Sequence, residues 1–444
     1  MPIGFARSAI ARLRGALQKS AALVMNSGAL ATGTVATSAL GFVYWWLAAR
    51  LFPPDVMGVA SGLLAVMSLV SVLGEGGLAT LLTGELVRHP GKEPGLTAAA
   101  ASVGLVLTVS LALLFVAGQA LLMGSHRSID SWFAGLTFVI GCGLGNLSIL
   151  GDQAFVGILR SSRRMIRLVL FSIFKLVLLA AAAGLGFTTP TALLWTWVAG
   201  SLAAWIGVDL LTRGDARRLV GPPDFKLLLT HRRRVFNHYA LDSALLTPAL
   251  IMPYLVLVLL SPTTNAAFVA VWMLVSVASL IPAALAMVLF PVVRASPKQS
   301  RHDIMVSLTV SLLFSLVCAV FVFTYSQQIL AVFNPAYPEI AGSSLSLLGF
   351  SLLGSTLKFH ACTLARLTDR MLKAAPWFAL GGALELGAAI LGAKLGGLHG
   401  LVLGWTLAVS IEGIGAALWL TSATKLVANA DPVLQGPTSS PLQT

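Results

Sequence analysis

The sequence predicts an all-α polytopic membrane protein, with about twelve transmembrane helices in two parallel-related six-helix bundles around a central cavity. Three observations carry this. Apolar stretches long enough to cross a bilayer fill the chain from Asn26 to Leu420. The basic residues gather in alternate loops. One long basic stretch, Arg213 to Phe236, divides the apolar stretches six and six.

A helix rising 1.5 Å per residue needs about 20 apolar residues to cover about 30 Å of hydrocarbon. The predicted spans are 26–49, 57–83, 96–123, 132–158, 166–187 and 191–212, then 237–260, 264–292, 303–326, 340–366, 373–395 and 397–420. They leave five regions: a basic segment 1–25, a first bundle 26–212, a linker 213–236, a second bundle 237–420 and a tail 421–444. In the first segment Ile10, Leu13 and Leu17 take helical spacing opposite Arg7, Arg12 and Arg14, which predicts an amphipathic helix on the inner leaflet. The tail, ending GPTSSPLQT, reads as flexible.

Composition agrees with the spans. Of 444 residues 57% are hydrophobic and 10% charged, and the mean hydropathy is +0.89, whereas soluble domains carry about 25% charge. The net charge of +13 does not imply nucleic acid. Apart from Arg50, Arg127, Lys175, Lys358 and Lys394, the Lys and Arg residues lie at the two ends and in the loops on one side. That asymmetry predicts cytoplasmic termini and a basic face toward anionic lipid. Cys142, Cys318 and Cys362 all fall inside spans, so no disulfide framework or thiolate metal site is expected.

An even number of helices per half gives both halves the same orientation in the membrane. LFPPDVMGVASGLLAVMSLV from Leu51 and LLSPTTNAAFVAVWMLVSVA from Leu259 align without gaps, each with a proline-bearing turn ahead of the second helix. Pro248, Pro253, Pro282 and Pro291 fall within the seventh and eighth spans, where lost backbone donors predict kinks or local unwinding. GCGLGN, Gly141 to Asn146, follows no strand and sits inside a span; it reads as close helix packing, not as a dinucleotide fingerprint.

Ionisable side chains in hydrocarbon cost about 2.5–3.5 kcal/mol each on the lenient insertion scale, so they face a cavity or one another. Here they are Glu75, Asp152, Lys175, Asp209, Asp242, Lys358, Glu385, Lys394 and Glu412. Lys175, Glu385 and Glu412 fall near the midplane. Two readings stand for each. Asp152, Asp209 and Asp242 can pair with loop arginines or reach the headgroups, and Asp152 and Asp242 are also candidates for ion coupling. Lys175 and Lys358 either neutralise a carboxylate or present an ammonium to an anionic substrate. Glu385 and Glu412 either share a proton or cation, or pair with Lys358. Glu75, between glycines that loosen its helix, is a coupling candidate. Lys394 and Arg50 sit near span ends where they can anchor a helix, and Arg50 can also reach a substrate. No catalytic constellation, metal-ligand spacing or nucleotide motif is present, so the chain reads as a carrier and not an enzyme.

WLAARLFPPDVMGVAS, Trp46 to Ser61, resembles the helix 1–2 junction of polysaccharide-transporter flippases, where Arg-Leu-Leu, a proline and an acidic residue precede a Gly-bearing helix start. GEGGLATLLTGEL, Gly74 to Leu86, is similar to the end of helix 2 in that family, and LFPVVRAS, Leu289 to Ser296, to the end of helix 8. These flippases belong to the multidrug/oligosaccharidyl-lipid/polysaccharide exporter superfamily, with a MATE-like fold. The resemblance implies a flippase in the bacterial inner membrane that moves a polyprenyl-pyrophosphate-linked oligosaccharide outward for surface or exopolysaccharide assembly. It also implies a lipid-linked glycan and membrane lipids as partners, with polymerase and export proteins downstream, no nucleic acid, and no cofactor beyond H+ or Na+ coupling. The related lipid II flippases line their cavity with arginines; this chain instead carries Lys175 and Lys358 at depth. On this reading substrate meets Lys175, Lys358 and Arg50, and coupling falls to Glu75, Glu385, Glu412, Asp152 and Asp242. The competing functions are a cation-coupled multidrug antiporter on the same fold and a membrane-embedded polysaccharide polymerase or ligase.

Overall fold

The structure is a computed structural model that describes residues 33, 36–122, 128–214, 219, 221–230, 232–295 and 300–429, with only the backbone at 232–234, 290–292, 294–295, 300 and 422–429. The expected amphipathic segment 1–25 and the tail beyond 429 lie outside the described residues. Every regular element among the described residues is helical. The long ones are α1 (36–51), α2 (Pro54–Glu75), α4 (Glu93–Leu122), α5 (Trp132–Gly157), α6 (Ser161–Gly184) and α7 (Pro190–Leu211). They continue as α9 (Arg232–Leu259), α10 (Pro262–Ala295), α11 (Ser300–Phe333), α13 (Ser351–Leu367) and α14 (Met371–Asn429). Short helices α3 (Leu78–Glu85), α8 (Phe225–Thr230) and α12 (Tyr337–Ala341) complete the set, with a 3-10 turn over Ser346–Phe350 before α13.

Ten helices among the described residues are long and apolar enough to cross a membrane. Of these α14 is two arms in one, because Gly396 and Gly397 leave helical geometry and Gly397 takes a φ of 57° that favours glycine. The chain is a multi-pass all-α membrane protein. Its outer surface is hydrocarbon: Leu114, Leu121, Val177, Val317 and Ile411 are all exposed, as they must be where the solvent is lipid.

The chain separates into two compact units, Met1–Phe52 with Val66–Tyr239, and Pro53–Ala65 with Ala240–Thr444. Compared with the expected boundary in the 213–236 linker, the first turns of α2 fall with the second unit. In the first unit Leu82, Leu96, Leu150, Ala154 and Phe155 pack α3, α4 and α5 together. In the second, Leu241, Ile304, Ala361, Leu364 and Phe378 join α9, α11, α13 and α14.

Small residues set how closely these helices approach. A Cβ on Gly141 would strike Met67, and one on Gly145 would strike Ser71, so GCGLGN serves close packing. The two prolines that align in the sequence echo, Pro54 and Pro262, each open their helix, where a missing N–H goes unfelt and φ is preset. The span expected over 57–83 is broken into α2 and α3, since Gly76 and Gly77 both take positive φ, 58° and 78°. No unwinding accompanies the internal prolines: α9 runs on through Pro248 and Pro253, and α10 through Pro282. The Pro248 ring occupies the notch left by Gly382, so packing across to α14 holds it. The one departure inside α11 is at Tyr325 (φ −112°, ψ 15°), with no proline there.

Candidate functional site

Each unit holds its own buried ionic side chains. In the first, α6 carries Lys175 on the face it turns to α7, where Gly200 lets the two helices close on the lysine backbone. Lys175 is 5% exposed. Its Nζ lies 4.5 Å from the Trp197 ring centre and 4.9 Å from those of Tyr44 and Phe171. Three aromatic faces thus surround the ammonium, each contributing attraction on the order of 0.5–2 kcal/mol. Tyr44 is held by a 2.7 Å hydrogen bond between its hydroxyl and that of Thr196, and the buried Trp197 indole N–H makes no aligned hydrogen bond. Among the described residues no carboxylate lies within ion-pair distance of Lys175. Among these residues the lysine is a desolvated cation held by rings and not by an anion.

Three other ionic residues of this unit, Asp152, Glu75 and Arg50, meet nearby groups. Asp152 of α5 meets Arg167 of α6 in a buried two-point pair, with Nε to Oδ1 at 2.5 Å and an Nη2–Oδ2 contact beside it. The guanidinium also lies over Trp205, 5.3 Å from the ring centre. Arg167 had been grouped with the loop cations; it belongs to α6 and is 3% exposed, so the first unit does carry one buried arginine. Glu75 accepts a 2.8 Å hydrogen bond from the Ala79 backbone N–H and so caps α3 at the break. Arg50 is exposed and lies over Trp46, 5.0 Å from the ring centre.

In the second unit the ions converge. Lys358 of α13 contacts Glu385 on the first arm of α14, and its Nζ is 2.8 Å from Glu412 Oε2 on the second arm. Glu385 is 1% exposed. Glu412 rests in the space left by Gly381, whose Cβ would overlap its carboxyl group. Two carboxylates and one ammonium leave this triad with a formal charge of −1 when all are ionised. Both Glu385 and Glu412 thus meet Lys358, a contact that leaves the shared-proton reading of the two acids open. Two residues along α13, His360 is fully buried, with Nδ1 2.9 Å from the Thr356 carbonyl and Nε2 3.1 Å from the Ser307 hydroxyl. Asp242 of α9 pairs with Arg366 at the end of α13. Lys394 is exposed.

The aromatic cage was only partly visible in advance. Phe171 stands four residues before Lys175, a spacing that puts both on one helix face. Tyr44 and Trp197 come from α1 and α7, and nothing local ties them to α6. The Asp242–Arg366 pair likewise joins residues 124 positions apart.

The fold is that of solved MATE transporters. An inward-facing multidrug resistance MATE family transporter of the MOP superfamily superposes with a TM-score of 0.67 at 15% identity, over 90% of this chain and 95% of that one. A MATE in the bent conformation gives 0.63 at 14% identity, over 92% and 97%. An outward-facing multidrug resistance MATE transporter gives 0.59 at 14%, over 91% and 96%. No protein-family model and no curated protein matches the chain. What is shared at these identities is the fold.

Proposed function

We propose that this protein is a flippase for a polyprenyl-pyrophosphate-linked oligosaccharide, moving it from the cytoplasmic to the outer leaflet of a bacterial inner membrane with both termini in the cytoplasm. The observation that carries this reading is Lys175: a caged ammonium with no carboxylate partner among the described residues. A cation left uncompensated in a membrane bundle is costly, and a substrate phosphate is an anion that would complete it. A carrier for organic cations gains nothing from such a group. Lys358 is the weaker substrate contact, because Glu385 and Glu412 already neutralise it.

Coupling is assigned to the triad. Lys358 stands between the two carboxylates, in the position a bound metal cation would need, so the site is suited to exchanging a proton rather than Na+. Asp152 and Asp242, each tied to an arginine, are the weaker coupling candidates, and Glu75 acts first as a helix cap. Polymerase and export proteins would then act on the product at the outer face.

The test is deletion followed by fractionation. A flippase defect removes surface polysaccharide and strands lipid-linked repeat units on the inner leaflet, and Lys175→Met reproduces it at normal abundance. Retained polysaccharide in the deletion strain defeats the proposal. The MATE fold and the acid-rich triad favour one second reading, a cation-coupled multidrug antiporter; sensitivity to cationic dyes with intact polysaccharide would establish that instead.

A further inference from the structure

Tyr44, Phe171 and Trp197 come from three helices of the first unit, α1, α6 and α7, and their rings brace one another. Trp197 meets Tyr44 edge-on, with ring centres 5.9 Å apart at 84°, and Phe171 at 5.6 Å and 74°. Trp45 stands beside them, 5.4 Å from Tyr44 and 6.2 Å from Trp197. The Thr196 hydroxyl donates its one hydrogen to the Leu193 carbonyl at 2.7 Å, so the Tyr44 hydroxyl is the donor to Thr196. That bond fixes the tyrosine ring, and the edge-to-face contacts fix the other two. The walls are set by the fold and not by the lysine between them.

Such walls have a chemical preference. Hard metal ions take oxygen ligands, whereas ring faces offer only the negative side of a quadrupole. Those faces attract organic ammonium groups, and aromatic cages are a general means of binding quaternary and methylated amines. The Lys175 Nζ, 4.5 Å from one ring centre and 4.9 Å from the other two, stands where such a cation would.

The lysine enters the cage on a short, held stem. A Cβ on Gly200 would lie 3.2 Å from the Lys175 backbone nitrogen and 3.3 Å from its Cβ, so α7 closes on the root of the side chain. A ligand on a short tether acts at an effective concentration on the order of mM or above. A free cation must displace it, and the displaced ammonium would then face the newcomer as a like charge. Both obstacles vanish if the ammonium is removed and the rings stay.

We infer that Lys175 is the built-in ligand of an organic-cation site, and that its ammonium keeps such cations out of the first unit. Lys175 is on this account a specificity-determining residue: it sets the sign of charge that the unit admits. The assignment stands on the geometry of the cage and does not need the flippase reading. For a flippase, it would exclude cations from the place where an anionic lipid is to be met.

The test uses full-length protein in detergent, titrated by calorimetry with choline and with its uncharged isostere, in which carbon replaces the nitrogen. Lys175→Ala empties the cage, Lys175→Met refills it with an uncharged chain, and Trp197→Leu removes a wall. Lys175→Ala is expected to bind choline about tenfold tighter than wild type or better, and Lys175→Met to show no gain. Adding Trp197→Leu to Lys175→Ala should abolish the gain, and the uncharged isostere should show none in any variant. No gain for choline in a folded Lys175→Ala protein, or an equal gain for the isostere, would overturn the assignment. A second measurement needs no emptied cage: nuclear magnetic resonance of wild-type protein carrying lysine labelled at Cε. Ring currents should move one lysine ε-methylene signal upfield, and Lys175→Met should remove it. A wild-type spectrum without a ring-shifted lysine refutes the cage. Neither measurement bears on the flippase reading, which surface polysaccharide in the deletion strain decides separately.

Discussion

Lys358 Nζ lies 2.8 Å from Glu412 Oε2, joining α13 to the second arm of α14 inside the second unit. The same ammonium contacts Glu385 on the first arm. One lysine therefore ties three helical segments, and both carboxylates depend on it. This arrangement and its counterpart in the first unit, where Lys175 has rings instead of acids, lead to the following expectations.

Removing Lys358 leaves two carboxylates facing each other without a counter-charge. Breaking a buried pair by deleting one partner costs about 3–5 kcal/mol. Lys358→Met should therefore sharply reduce thermal stability in detergent. The triple variant Lys358→Met/Glu385→Gln/Glu412→Gln should recover most of it. A Lys358→Met protein as stable as wild type would show that the triad is not holding the helices.

Lys175 should behave oppositely. It has no acid partner among the described residues, and methionine keeps most of its length and its packing among Tyr44, Phe171 and Trp197. We expect Lys175→Met to change stability by no more than about 1 kcal/mol, since the lost cation–π attraction and the relieved desolvation offset each other. Transport of the anionic lipid in proteoliposomes should fall by tenfold or more, about 1.4 kcal/mol. A destabilised variant that still transports would reverse the assignment.

The proposed proton coupling rests on the triad's two carboxylates and one ammonium. In proteoliposomes, wild-type transport should respond to an imposed pH gradient, and Glu412→Gln should remove that response while leaving substrate binding. Transport that follows a sodium gradient and ignores pH would exclude the triad as a proton-exchange site.

Asp152 and Arg167 form the third buried ionic site. Asp152→Asn leaves the guanidinium buried with half its partners lost, a destabilisation of about 3–5 kcal/mol. In a double-mutant cycle with Arg167→Met, the coupling should exceed 1 kcal/mol. Additive effects would mean that the pair contributes nothing of its own.

Glycines in the second unit should divide by what lies beyond them. A Cβ on Gly354 would overlap the Val409 carbonyl, so Gly354→Ala should destabilise by about 1–3 kcal/mol. Gly415 has open space, and Gly415→Ala should stabilise by about 0.5–1 kcal/mol through backbone entropy alone. Thermal melts of the two variants check the contrast.

Which side chains would be charged, deep and short of water was legible in the sequence, because depth follows from position in an apolar run. Their partners were not. Glu385 and Glu412 could be placed on consecutive helices, yet whether Lys358 met both depended on the turn at Gly396–Gly397 and the notch at Gly381. The break after Glu75 was signalled by its glycines, although its result, a carboxylate capping α3, was not. Arg167 was misjudged because a residue one position inside a predicted span looks like loop; its burial follows from the partner on α5.

The amino-acid order alone determined that this chain is a helical membrane protein, and where a lysine or glutamate sits along an apolar run. Hydropathy sums over a segment, and a segment in hydrocarbon must satisfy its own backbone hydrogen bonds, so span and helix follow without reference to the rest of the molecule. Only the tertiary structure decided that Lys358 meets two carboxylates while Lys175, among the described residues, meets rings instead. Those outcomes depend on helix rotation and approach, which are set by side-chain packing between segments far apart in the sequence.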